Sequence, residues 1–366
     1  MKFSPIPSQT TKRLLQGAAA IALAVSMTAC GGGDDNNSPP KSQVSASFQV
    51  VSFGDSLSDV GTYAPNISLL FGGGRFTTNP GQVWTQDVAQ FYGGSLVAAE
   101  TGGFGAPIVD NPNGYGYAQG GSLVDGAQGI GFAANGAAAL TVPVTQQVAR
   151  YIAQHGTFTN NQLVLIQGGA NDIISNLQAV LLGAQTQAAA TAAIGAAAQK
   201  LGGTIAQILA AGATKVVVVD VPDIGQTPLG VSLGPTVAAE FTGVVQQYNA
   251  GVTATLTALG VANKVIPVSS FSFIQSEVAN FQANGFTVGN TGTACKLAQM
   301  EANATQAGVS DPSDFGSSLF CSPQLLQTPT ADQTYLFADT IHPTTHLHAR
   351  FAAYVEAQVN TALGLK

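Results

Sequence analysis

The stretch FQVVSFGDSLSDVGTY, residues 48–63, decides how the chain folds. Its first six residues form a mostly apolar run of strand length, and the run stops abruptly at Gly54. Breaking into Gly54-Asp55-Ser56-Leu57-Ser58-Asp59, it reads as a strand that ends in a tight turn carrying a serine hydroxyl. Open α/β sheets hold their sites at the carboxyl ends of strands, where Ser56 falls. Taken alone, Ser56 also reads as the N-cap of a following helix, a role that needs no function. Asp55 and Asp59 read as turn-stabilising or capping carboxylates.

Further apolar, β-branched segments recur along the chain at 95–99 (the weakest), 163–167, 215–220 and 264–268. Helical patterns fall between them at 83–92, 144–155, 184–211 and 238–259, and another closes the chain at 345–363. Alternating strand and helix predicts a parallel sheet covered on both faces. Two regions depart from the alternation. Residues 100–140, rich in Gly, Asn and Tyr, read as long loops, and residues 270–338 as a long insertion before the last helix.

The composition bounds the class. Of 366 residues only 8% are charged, far below the roughly 25% of an ordinary soluble domain, and solubility then rests on Asn, Gln, Ser and Thr. A formal charge of −7 without a basic cluster excludes nucleic acid as a partner. At the N-terminus, Lys2, Lys12 and Arg13 precede an apolar run at 14–27, which is short for a membrane span. It stops at MTACGGG, where Ala29-Cys30 resembles the bacterial lipobox, whose cysteine is lipidated. The expected organisation is a lipoprotein signal peptide at 1–29, a flexible tether at 30–47 and one domain at 48–366. The protein is expected to be exported and anchored by lipid on Cys30 to the bacterial cell envelope, at the outer membrane, or secreted if ordinary cleavage leaves Cys30 unused. The remaining cysteines, Cys295 and Cys321, are expected to pair as a disulfide in an oxidising compartment, the alternative being two buried thiols.

Three polar clusters follow apolar segments or precede the last helix: Ser56, Gly168-Gly169-Ala170-Asn171-Asp172, and Asp339-Thr340-Ile341-His342. Between the first two lies YAQGGS, residues 117–122. A serine hydroxyl is a poor nucleophile until a base takes its proton, and a carboxylate that fixes the tautomer improves the base. Only His155, His342, His346 and His348 are available, and His342 stands three residues after Asp339, within reach of one turn. Negative charge on a carbonyl oxygen needs donors, which Asn171 and the N–H groups of Gly121 and Ser56 can supply. A rival nucleophile, Ser232 in GVSLG, fits a G-x-S-x-G elbow, but DIGQTPL before it cannot be the strand that the elbow requires. His342, His346 and His348 also read as a metal cluster, yet no cysteine or second carboxylate completes one. His346 then reads as a cap or supporting group and His348 as a surface residue.

FGDSLSD, GGAND and DTIHP resemble the signature blocks of the GDSL lipase/esterase family, the SGNH hydrolases, and YAQGGS is similar to its glycine block. GGGRFTTNPGQVW, residues 72–84, and VPDIGQTP, residues 221–228, resemble further family segments. The resemblance implies a flavodoxin-like three-layer α/β/α sandwich around a parallel sheet of about five strands. It implies Ser56 as nucleophile, His342 as base, Asp339 as its orienting carboxylate, and Gly121 and Asn171 as oxyanion donors beside Ser56. The glycine block departs from the family in carrying Gly116 before Tyr117, where the family often has Asn, so Gly120 remains a substitute for Gly121. The implied activity is hydrolysis of carboxylic acyl esters without a cofactor or metal. Phospholipase, acyltransferase and carbohydrate O-acetyl esterase chemistry are alternatives on the same site, and a non-enzymatic ligand-binding lipoprotein is the rival of another class. The expected partners are a small-molecule or lipid ester and the membrane; no obligate protein partner is expected. Arg75 is the one cation expected near the site, which favours a neutral ester.

Overall fold

The computed structural model describes residues 46–365 except 127, 134, 135 and 310. The leader, Cys30 and nearly all of the tether lie outside the described residues. Among the described residues, six strands form two sheets. β1 (Gln49–Phe53), β4 (Gln162–Ile166), β5 (Val216–Val219) and β6 (Ile266–Val268) make a parallel sheet in that order, while β2 (Glu100–Gly103) and β3 (Ala106–Asp110) pair as an antiparallel hairpin. Register is continuous from Gln49↔Gln162 to Phe53↔Ile166, so β1 and β4 end level and deliver Ser56 and Gly168 to one edge.

Strand residues alternate between two apolar layers, as the two-residue period of a strand dictates. Val51, Phe53, Val164, Ile166, Val216 and Val218 face one layer. Val50, Leu163, Leu165, Val217, Val219 and Val268 face the other. Helices cover both faces because neither can be left to water; each fully buried Val, Leu, Ile or Phe contributes about 1.5–3 kcal/mol. Of the helices in chain order, α1 (Ala64–Phe71) lies outside both layers. α2 (Trp84–Phe91) packs on the second face, then α3 (Val144–His155), α4 (Ala170–Leu181) and α5 (Gln187–Ala210) on the first. A short α6 (Pro228–Ser232) precedes α7 (Pro235–Ala258), which returns to the first face. α8 (Ser270–Ala279) packs on the second, α9 (Leu297–Gln306) and α10 (Ala331–Thr334) belong to the insertion, and α11 (Thr345–Leu363) closes the second face. The result is a three-layer α/β/α sandwich.

The sheet has four strands rather than about five. The segment at 95–99 is not a strand: Gly116 N–H donates to Val97 O and Ala99 N–H to Gly116 O, and the ladder goes no further. Residues 115–119 separate it from β1, with Ser52 N–H donating to Tyr115 O and Tyr117 N–H to Ser52 O. A glycine-rich strip thus occupies the edge that a fifth strand would take, because it must bend away toward the site at Gly120-Gly121. Residues 100–110, expected as loop, form the hairpin.

The insertion packs into a third cluster beyond the sheet's carboxyl edge, where Tyr63, Ile67, Phe76, Met300, Leu319 and Phe320 surround a Cys295–Cys321 disulfide. The pairing expected from the compartment is present. Among the described residues, no helix is long and apolar enough to cross a membrane.

Candidate active site

Ser56 does not cap a helix. The chain turns twice after β1, with Ser58 N–H donating to Asp55 O and Asp59 N–H to Ser56 O, and α1 starts only at Ala64. Gly54 is clamped from behind: its N–H donates to Gln147 Oε1 at 2.8 Å and its carbonyl accepts from Gln147 Nε2 at 2.8 Å. Gln147 is buried on α3, in the stripe of Val144, Val148 and Tyr151, and both its polar atoms serve the backbone.

His342 comes to Ser56 from the opposite end of the chain. Its Nε2 lies 2.8 Å from Ser56 Oγ, and its Nδ1 lies 2.7 Å from Asp339 Oδ2. A carboxylate only accepts, so the ring proton sits on Nδ1 and Nε2 is left to accept from Oγ–H. Asp339 is fixed by three backbone donors: Ile341 N–H and His342 N–H on Oδ1 at 2.9 and 2.8 Å, and Ser318 N–H on Oδ2 at 2.6 Å. Burial alone would raise its pKa, but the adjacent imidazole and these donors prevail and hold the carboxyl well below the usual range. All three side chains are buried, and Phe76 lies against the imidazole at 5.0 Å between ring centres.

The backbone N–H groups of the two candidate glycines differ in their partners. Gly120 N–H donates to Asp59 Oδ2 at 2.8 Å and is not free. Gly121 N–H and Ser56 N–H have no acceptor among the described residues. Gly121 has φ +80°, and a Cβ there would meet Ile130 O at 2.1 Å, so no other residue fits the position. Asn171 Nδ2 donates one hydrogen to Ser122 O at 2.9 Å and keeps the other. The turn before Asn171 is held by Tyr248, whose hydroxyl donates to Gly168 O at 3.0 Å and whose ring leaves Gly169 no room for a side chain.

The supporting carboxylates behave as turn ties. Asp59 accepts from Gly61, Thr62 and Gly120 N–H, joining the serine turn to the glycine block. Asp55 accepts from Leu57 N–H and from Gln167 Nε2, and burial lifts its pKa to about 6 despite these donors. Asp172 accepts from Val124 N–H, and burial lifts it to about 7.

Three sequence expectations are corrected. His348 is buried, not on the surface: Nδ1 accepts from Trp84 N–H, and desolvation lowers its pKa to about 3. It lies on α11's inner face, four residues after Thr344, which supplies the cap. His346 is therefore not the cap; its Nδ1 lies 2.7 Å from Gln333 O and its ring against Phe286. Arg75 points its guanidinium at the carbonyls of Val60, Pro80 and Gly81, so it is a brace for the backbone. Ser232 ends α6, exposed, with its hydroxyl on Leu229 O and no preceding strand. His155 stacks on Tyr115 far along α3. Among the described residues, no group of three His, Cys, Asp or Glu is arranged to hold a metal.

Over residues 50–355 the chain matches the GDSL-like lipase/acylhydrolase family. It belongs to that family. The match spans the serine turn, the glycine block, the Asn171 turn and the Asp339–His342 segment, and family membership makes the chain a hydrolase in general terms. No curated protein matches the chain. Sequence reasoning missed Asn79, Gln147 and Ser318. Gln147 left a signal, a polar residue inside the apolar stripe of a helix, whereas Ser318 left none.

Proposed function

We propose that the protein hydrolyses carboxylic acyl esters through Ser56, His342 and Asp339. The observation that carries this reading is the unbroken relay, Ser56 Oγ to His342 Nε2 at 2.8 Å and His342 Nδ1 to Asp339 Oδ2 at 2.7 Å. His342 takes the hydroxyl proton as Ser56 Oγ attacks the ester carbonyl. Asp339, kept ionised, stabilises the imidazolium that results. The oxyanion of the tetrahedral intermediate is met by Ser56 N–H, Gly121 N–H and the free hydrogen of Asn171. His342 then returns the proton to the leaving alkoxide, and water, deprotonated by the same imidazole, cleaves the acyl-serine.

Arg75, the cation expected near the site, is turned onto backbone carbonyls, which supports a neutral ester. A panel of neutral esters from acetyl to palmitoyl, with phospholipid and acetylated glycan alongside, tests the reading. Turnover of at least one ester, abolished in Ser56→Ala, is expected; a folded wild-type protein inert on all of them would overturn it. The proposal includes a lipid anchor on Cys30, supported by the Ala29-Cys30 junction and the Gly/Asn/Ser-rich segment that follows it. Cys30→Ser should shift the protein from the membrane fraction to the soluble one, and an unmodified Cys30 in the wild-type protein would remove the anchor.

A further inference from the structure

A cavity of about 280 Å³ opens between the β2–β3 hairpin, residues 116–119 and α3. Its volume is that of a small-molecule site, but its wall is not the apolar wall of most such sites. Glu100, Asp110, Tyr117, Gln119, Arg150 and Gln154 line it, and its wall is more polar than apolar.

These groups are braced against one another. Arg150 Nη1 donates to both Glu100 oxygens at 3.1 Å, and Gln119 Nε2 donates to Glu100 Oε1 at 2.9 Å. Gln119 Oε1 accepts from Val142 N–H, and the Tyr117 hydroxyl donates to Gln154 Oε1. Hydrogen-bonding capacity is nonetheless left over. Among the described residues, the Asp110 carboxylate accepts no hydrogen bond, Gln154 Nε2 makes none, and Arg150 keeps Nη2 and Nε.

We propose that this cavity binds a neutral saccharide unit. A carboxylate accepts two neighbouring hydroxyl protons at once, and a guanidinium or amide edge donates to neighbouring oxygens, so planar groups of both kinds around one void match vicinal diols. Two carboxylates against one guanidinium leave the wall at net negative charge, which disfavours an anion. An acyl chain is disfavoured, since it offers no partner to the polar groups of Asp110, Gln154 and Arg150. The ester site is separate: neither Ser56, Asn171 nor His342 reaches this wall.

The test is calorimetric titration of the full protein with glucose, galactose and N-acetylglucosamine, each alone, with glucuronate and glucosamine as charged controls. At least one neutral sugar should saturate with a dissociation constant of roughly millimolar. Asp110→Ala and Gln154→Ala sit on exposed side chains and should each weaken it about ten-fold with unchanged thermal midpoints. Ser56→Ala should bind as the wild type does, which separates this site from ester hydrolysis whether or not an ester is ever turned over. No saturation by any neutral sugar up to about 100 mM would overturn the proposal. So would tighter binding of a charged control, full binding in both cavity variants, or loss of binding in Ser56→Ala.

Discussion

The backbone N–H of Ser318 donates to Asp339 Oδ2 at 2.6 Å, the same oxygen that faces the His342 ring. Ser318 is itself held by Asn79, whose Nδ2 donates to its carbonyl at 3.0 Å. Three residues on, Cys321 bonds to Cys295, whose N–H donates to the carbonyl of Ala338, the residue before Asp339. The insertion therefore orients the Asp339 carboxylate, and the disulfide joins the two segments that grip it. In Cys295→Ser/Cys321→Ser, stability should fall by about 3 kcal/mol by the loop-closure argument. The kcat should drop about ten-fold with KM changed less, since the loosened carboxylate acts on the base and not on binding. Denaturant unfolding and steady-state kinetics check this; unchanged kcat in a destabilised variant would confine the bridge to stability.

The serine assignment makes opposite claims for two positions. Ser56→Ala should leave a folded protein with kcat lowered by about four or more orders of magnitude, because the members of a relay act as a unit. Ser232→Ala, on an exposed helix end whose hydroxyl reaches only Leu229 O, should leave activity as it was. The reverse result would discard the triad.

Asp59 distinguishes Gly121 from Gly120 by occupying the Gly120 N–H. Both its oxygens accept, so Asp59→Asn must turn an amide N–H toward a backbone N–H on one side. We expect a loss of about 1–3 kcal/mol in stability. The kcat should fall about 10- to 100-fold as the glycine block shifts, with KM moving less. Wild-type kcat in this variant would mean that the position of Gly121 does not depend on the tie.

Gln147 predicts a purely structural cost. Gln147→Met keeps the side chain's length but leaves the buried Gly54 N–H without an acceptor, while Gly54 C=O keeps only Gln119 N–H. A loss of about 1–3 kcal/mol is expected from one stranded backbone donor. Equilibrium unfolding of the variant measures it, and a cost under about 1 kcal/mol would show that water replaces the amide.

The parts of this fold legible in the sequence are those where one local pattern meets one environment. Runs such as Val216–Val219, buried on both faces, leave no polar alternation and read as parallel strands. The helices at Val144–His155 and Thr345–Leu363 fall where their apolar periodicity puts them. Helix α1 was not read because Leu69 and Leu70 stand exposed and blur its stripe. Helix α4 was not read because it starts directly at the functional turn, on Ala170. The segment at 95–99 has strand composition, but pairing is decided by a glycine strip about twenty residues later. Ser56, Asp339, His342 and Asn171 stood in recognisable blocks, whereas Ser318 acts through its backbone, which no side-chain pattern records.

Asp172, next to Asn171, gives the clearest dependence on pH. Burial raises its pKa from 3.8 to about 7, since Val124 N–H is a weak offset to the loss of water and Asp55 adds repulsion. A raised folded-state pKa means that the native protein holds the proton more tightly than the unfolded chain. The resulting stabilisation is complete below about pH 3.8 and is lost as pH rises toward about 7. At neutral pH the wild-type protein therefore carries a buried carboxylate at a cost. Asp172→Asn stays neutral at every pH, and its amide oxygen can still accept from Val124 N–H. The variant should gain little over the wild type near pH 4 and about 2 kcal/mol near pH 8, allowing for partial hydration of the ionised carboxylate. Urea midpoints at about pH 5 and about pH 8 read the difference, with the gap widening as pH rises. A gap that is equal at both values, or that narrows toward pH 8, would mean that Asp172 is ionised in the native protein with a partner that its contacts do not reveal.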